Sequence, residues 1–204
     1  AAWLGFGATP AELRASGLVA ALDKVVREKA GVTLLGLPLQ MRFHVYLKRP
    51  IPNVDFTGVK MRSIPVFDPV LRGLGAVTVM VPYAELLTAL ETGVVDGFAF
   101  PSIGVVGPGF TRTIKYKLNP PWWVGTDVAL MNAAAYDKLS PDLKKLLTDT
   151  MIQIEKEVPA YYGDKGKAED AAGEKQGVQY LTTSEADLVK IRKLQWEGVV
   201  ETYL

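Results

Sequence analysis

Two arginines on short alternating segments are the residues of this chain best suited to chemistry. Arg62 lies inside Lys60-Met61-Arg62-Ser63-Ile64, which reads as a strand entering a core from one side, and Arg42 opens the alternating run Phe43–Leu47. A guanidinium near a strand end is costly to bury without an anion, and its forked donors match a carboxylate bidentately. The pattern fits an anion site, and equally a structural ion pair or an exposed sheet edge. Aromatic residues gather in the same stretch: Phe67, Tyr83, Phe98, Phe100, Trp122 and Trp123. Such side chains commonly fill cores. Trp122-Trp123 follows Pro120-Pro121 directly, which sets the pair beside a strand in a loop, a setting less typical of a core.

Other chemistries find little support. The chain has no Cys and one His among 204 residues. That excludes disulfides, cysteine zinc sites, iron–sulfur clusters, thiol nucleophiles and any site needing two histidines. His44 sits in an alternating strand without an obvious carboxylate partner and reads as structural. Glu12, Asp23, Asp142, Glu155 and Glu157 fall on helix faces, where solvation is the default. Asp96, between Val95 and Gly97 at the foot of a strand, reads as a turn or capping acceptor. No phosphate-binding glycine loop, nucleophile elbow or zinc helix motif occurs, so neither a metal nor a cofactor is expected. With 23 Lys plus Arg against 22 Asp plus Glu, the net charge of +1 provides no bulk attraction to nucleic acid or an anionic membrane. The longest apolar runs fall well short of the roughly 20 residues a spanning helix needs. No secretory leader is visible in the chain, and the apolar, Gly-rich opening 1–8 has no first strand before it.

The elements that must position the arginines follow from periodicity. Thr9-Pro10-Ala11-Glu12 is a capping-box start for a helix running to about Lys29 and stopping at Gly31. Strands are expected at Val32–Leu37, Phe43–Leu47, Lys60–Ile64, Ala76–Val81, Val94–Pro101, Thr113–Leu118 and Asp127–Met131, with helices over Pro65–Gly73 and Pro82–Thr92. This alternation predicts an α/β fold with a largely parallel sheet. Ser140-Pro141-Asp142 begins a helix whose apolar residues Leu143, Leu146, Leu147, Met151, Ile154, Val158 and Tyr162 share a face. Continued to about residue 176, with a kink at Pro159, it would reach across two domains; two helices broken near Gly163 are the alternative. Val178–Leu181 and a last helix from about Ser184 close the chain.

Three motifs carry a family resemblance. They are Asp55-Phe56-Thr57-Gly58-Val59-Lys60-Met61-Arg62, then Gly73-Leu74-Gly75-Ala76, then Pro82 to Gly97 with its Ala89-Leu90-Glu91-Thr92-Gly93-Val94-Val95-Asp96-Gly97 ending. In that order they resemble the DctP-type solute-binding proteins of TRAP transporters. Gly31–Gly36 and Ala135–Leu143 match the same family, so the likeness runs along nearly the whole chain.

The resemblance implies a two-domain periplasmic-binding-protein fold of α/β class, closing like a flytrap on an organic acid and delivering it to a membrane permease. It implies residues 1–39 plus 127–165 as a remnant of the first domain, 40–126 plus 166–204 as the second, and a helix at about 141–176 bridging both. The first domain's opening portion is then expected to be missing. Arg62 falls on the family's carboxylate-clamping arginine, and Arg42 on a second arginine found in some members. Where many members have Asn, this chain has Phe100; Trp122 stands where some have His, and Tyr83 where they have Phe. With Phe98 and Trp123, these residues make the expected binding surface aromatic. The expected ligand is a monocarboxylate with an apolar or planar body, and the expected location is periplasmic. A sensor domain of the same fold without a permease is the alternative. An enzyme acting on a small acid would need an acid–base pair that these residues do not offer.

Overall fold

The computed structural model describes residues 3–4 and 8–200. Residues 1–2, 5–7 and 201–204, the outermost parts of the expected domains, lie outside the described residues. The chain forms two compact units, one of residues 1–41 and 124–165, the other of residues 42–123 and 166–204.

In the first unit the capping box forms: Thr9 accepts from the Glu12 amide while the Glu12 carboxylate accepts from the Thr9 amide. The helix it starts, α1 (Pro10–Ala15), is short, because Gly17 turns left-handed and a second helix, α2 (Leu18–Ala30), begins there. The predicted single helix is thus two. Gly31 caps α2 in the left-handed region, and the chain enters β2 (Val32–Leu47). The two strands expected at 32–37 and 43–47 are one uninterrupted strand, since Pro38 does not break it. β1 (Trp3–Leu4) pairs antiparallel with β7 (Trp123–Asn132), which also neighbours β2. The short helix α5 (Ala133–Asp137) then leads to α6 (Pro141–Lys175), a continuous helix with Pro159 inside it. No break occurs near Gly163.

A small core of Leu13, Val19, Leu34 and Leu37 holds α1, α2 and β2 together. Across it runs one buried ion pair. Glu155 of α6 accepts from Arg14 Nε at 2.6 Å and Nη2 at 2.9 Å, and from the Leu37 amide at 2.7 Å. Only 6% of Glu155 is exposed, which corrects its reading as a solvated helix-face carboxylate. Gly36 admits it: a Cβ there would overlap the Glu155 carboxylate, Met151 Cγ and the Arg14 guanidinium.

The second unit carries β3 (Lys60–Ser63), α3 (Asp68–Gly73), β4 (Val77–Met80), a 3₁₀ turn at Tyr83–Glu85 and α4 (Leu86–Glu91). Then come β5 (Gly97–Pro101), a 3₁₀ turn at Phe110–Arg112, β6 (Tyr116–Asn119), β8 (Gln179–Thr182), α7 (Glu185–Gln195) and a π-helical turn at Trp196–Val200. β3 pairs parallel with β4 and β5, and β6 with β8, but β2 runs antiparallel to both β5 and β6. The sheet is therefore mixed, not largely parallel. The expectation failed because an antiparallel partner leaves no mark on the apolar pattern of a strand buried on both faces.

Both faces of this sheet are covered. Val45, Leu47, Met61 and Ala99 point into a core with Phe56, Phe67, Leu71, Trp122, Trp123 and Ile191. Tyr46 and Phe98 point the other way, into a core with Leu86, Leu90, Val105, Phe110 and Ile114. Two lysines secure α4 to the sheet: Lys48 Nζ donates to the Leu90 carbonyl and Lys60 Nζ to the Gly93 carbonyl, where the helix dipole favours cations. Asp96 accepts from the Lys60 amide at 3.0 Å, the capping role expected of it.

Candidate functional site

Register decides which residues face Arg62. Arg62 pairs with Phe98 and Val79, Phe98 with Tyr46, and Phe100 with His44. Side chains at paired positions leave a sheet on the same side, and so do residues two apart on one strand. Arg62, Phe98, Phe100, His44 and Tyr46 therefore share one face.

Arg62 is half-buried, and its Nε donates to the Val81 carbonyl at 3.1 Å. Its guanidinium makes no ion pair with any described residue. Burial lowers its pKa below the ordinary arginine value, with no carboxylate to offset the effect. The terminal donors of the fork remain for an external acceptor, and a carboxylate is the group that matches them.

Beside it stands an aromatic wall. Tyr46 stacks on Phe98 with ring centroids 5.4 Å apart, and Phe98 meets Phe100 edge-on at 5.9 Å. Phe100 in turn stacks on Tyr83 at 5.5 Å with the rings 12° from parallel. Phe98 is fully buried, Phe100 partly, and Tyr83 is 47% exposed. The wall thus grades from core to solvent, with the Tyr83–Phe100 pair at its open end. The Val81 carbonyl that holds Arg62 lies two residues before Tyr83, so the strand end that aims the guanidinium also places the ring. Nothing in the sequence signals that backbone acceptor.

Arg42 is exposed and lies opposite Ser102, whose amide donates to its carbonyl at 3.0 Å. Alternation puts it on the same face as His44 and Tyr46, but two strands over and four residues along from Arg62. At ordinary strand spacings that is roughly 16 Å between Cα atoms. The structure places the two arginines on one face without making them neighbours.

Trp122 and Trp123 are placed elsewhere. Their rings pack against Phe67 at 5.3 Å each, and they are 5% and 3% exposed in the core of the opposite face. The prolines before them do not hold them out in a loop, because Phe67 and Leu71 offer apolar surface that the indoles cover. Their expected grouping with Arg62 is corrected accordingly.

His44 Nδ1 lies 2.8 Å from the Leu118 carbonyl, the structural role its setting suggested. Burial drives its pKa down to about 4, so at neutral pH it donates as a neutral imidazole. Lys117, with its side chain almost wholly buried, pairs with Asp170 at 2.5 Å. No group of three or more His, Asp or Glu that could hold a metal occurs among the described residues.

A family model described as bacterial extracellular solute-binding protein, family 7 (DctP), matches residues 11–202. The chain belongs to this family. The family, by its description, is one of solute-binding proteins. It is 33% identical over 87 residues to a solute-binding protein of Verminephrobacter eiseniae, a stretch covering 42% of this chain and 26% of that protein. Its fold is similar to that of a TRAP periplasmic solute binding protein from Desulfovibrio salexigens solved with bound orotic acid. That match has a TM-score of 0.81 and 26% identity, covering 95% of this chain and 63% of the other. A TRAP periplasmic solute binding protein from Ochrobactrum anthropi shares the fold at a TM-score of 0.82 and 20% identity, over 98% of this chain and 63% of that one. The DctP-family chain therefore spans less than two thirds of the length of these relatives. No helix among its described residues is long and apolar enough to cross a membrane.

Proposed function

We propose that this chain is the ligand-holding part of a periplasmic TRAP receptor, which captures an organic acid on Arg62 and delivers it to a membrane permease. The observation that supports this reading is a half-buried guanidinium with no carboxylate partner among the described residues, set on one sheet face with Phe98 and Phe100, on which Tyr83 stacks. In this reading the acid's carboxylate accepts from Arg62 while its body lies against the Tyr83–Phe100 pair. Arg42, further along the same face, adds positive potential.

The surroundings select against polyhydroxylated bodies and against a second carboxylate. A hydroxylated or second-carboxylate group laid on Phe100 would lose water without gaining a partner. The favoured ligand is a monocarboxylate with a planar or apolar body. Orotic acid, bound in the Desulfovibrio protein, is a planar monocarboxylic acid of this kind.

Calorimetry with the full chain tests the reading. Benzoate, orotate and branched-chain acids are expected to bind more tightly than succinate or sialic acid; the reverse order overturns the ligand class. Arg62→Ala is expected to lower affinity at least 100-fold, since it removes the half-buried cation proposed to hold the carboxylate. Unchanged affinity in that variant would refute the site. Binding should also raise the unfolding free energy by RT ln(1 + [L]/Kd).

A further inference from the structure

The segment after Phe100 is held by an element that has no residue in the proposed ligand surface. Glu169, in the part of α6 belonging to the second unit, places Oε1 2.7 Å from the Val105 amide and 2.6 Å from the Val106 amide. One carboxylate oxygen thus accepts from two consecutive backbone N–H groups of the 102–109 loop. Bonds from amides to an ionised carboxylate are about twice as strong as neutral ones.

The helix face around Glu169 suits this contact. Gly166 lies against Ser102 Cβ, and Gly173 against Val106 and Val178. Positions 166, 169 and 173 follow one helix face, so two glycines let the loop approach closely while the carboxylate between them binds it. The loop's far side touches the ligand surface. Gly104, at φ +87°, lies so close that an added Cβ would stand 3.2 Å from Phe100 Cε1. Val105 is buried with Phe98 and Phe110 beneath the same wall.

We infer that Glu169 is a positioning residue for ligand binding: it clamps the 102–109 loop against Phe100 and so fixes the Tyr83–Phe100 stack on which a planar acid lies. The ligand part of this inference rests on the function proposed above. The clamp itself does not. Glu169 touches no ligand; it acts through two amides, Gly104 and one ring.

The experiment compares the full chain with Glu169→Ala, Glu169→Gln and Gly104→Ala. Hydrogen exchange at the Val105 and Val106 amides is expected to speed at least tenfold in Glu169→Ala, and less in Glu169→Gln, which keeps an acceptor oxygen. The ring-current shifts of Tyr83, assigned by their loss in Tyr83→Phe, should move toward random-coil values in Glu169→Ala and in Gly104→Ala. Gly104→Ala displaces Phe100 without touching the carboxylate, so it serves should Glu169→Ala not fold. Benzoate affinity should fall about tenfold in Glu169→Ala while pyruvate, which has no ring, changes less than twofold; Glu169→Gln should recover part of the loss. Unaltered exchange and Tyr83 shifts in the Glu169 variants overturn the clamp, and equal losses for benzoate and pyruvate overturn its role in selectivity. If the unmodified chain binds neither acid, the ligand site is refuted, and exchange and Tyr83 shifts still decide the clamp.

Discussion

Arg14 in the first unit and Arg62 in the second are both arginines partly withdrawn from water, and the protein treats them in opposite ways. Arg14 is answered by Glu155, with two donors on two oxygens and the Leu37 amide completing the acceptor's needs. Arg62 is answered by a single backbone carbonyl. The second unit has carboxylates to spare, yet Asp96 is taken by the Lys60 amide, Asp170 by Lys117 and Glu169 by a loop. Charge that is matched internally holds a fold together. Charge left half-matched at a surface with aromatic neighbours is available to something else.

The sharpest way to break the comparison is to remove each arginine and measure unfolding in urea. Arg14→Met strands a buried carboxylate and is expected to cost about 3–5 kcal/mol. A loss below about 1 kcal/mol would show that the pair is not the anchor its geometry indicates. His44 shows a third treatment, in which a buried base gives up its charge. Its folded pKa near 4 lies below the ordinary 6.5, so as pH falls the unfolded chain takes up a proton that the folded chain refuses. The corresponding stability is complete above pH 6.5 and drains away between 6.5 and 4, amounting to about 3 kcal/mol. Urea titrations at pH 7 and 4.5 should show the loss, and His44→Gln should remove most of that difference.

Lys117 stands between the extremes, since its partner Asp170 keeps a side-chain exposure of 35%. Lys117→Met leaves a carboxylate that water can reach, and a loss of about 1–2 kcal/mol is expected. Smallest of all should be Arg62→Ala, within about 1 kcal/mol of the unmodified chain in the absence of any acid. If it destabilised as much as Arg14→Met, Arg62 would be a structural residue and the contrast would collapse.

How far the sequence could be read follows from what each signal depends on. Helix α6 was legible from Ser140-Pro141 and a one-faced apolar series, both properties of contiguous residues. Arg62 was legible as a strand cation, and the motif around it carried the family. The break at Gly17 was not, because a helix-period pattern continues across it and only the left-handed turn of one residue interrupts it. Glu155 looked like Glu157 in sequence; its partner Arg14 lies 141 residues away, and no local pattern encodes that meeting. Trp122 and Trp123 were misplaced for the same reason, since Phe67 and Leu71 reach them only through the fold. The aromatic wall was half legible: strand alternation puts Phe98 and Phe100 on one side, but the Tyr83 stack depends on a turn after β4.

Gly36 and Gly104 show how differently two glycines can be required. Gly36 has an ordinary backbone angle and fails to admit a side chain only because Met151 and the Arg14–Glu155 ion pair occupy the space. Gly104 has a left-handed angle as well as a close neighbour. Tolerance at 36 is therefore a matter of size, and alanine there needs smaller groups at 151 and at the ion pair together. No repacking of neighbours would relieve the backbone at 104. One position can drift through paired substitutions, and the other is held by stereochemistry.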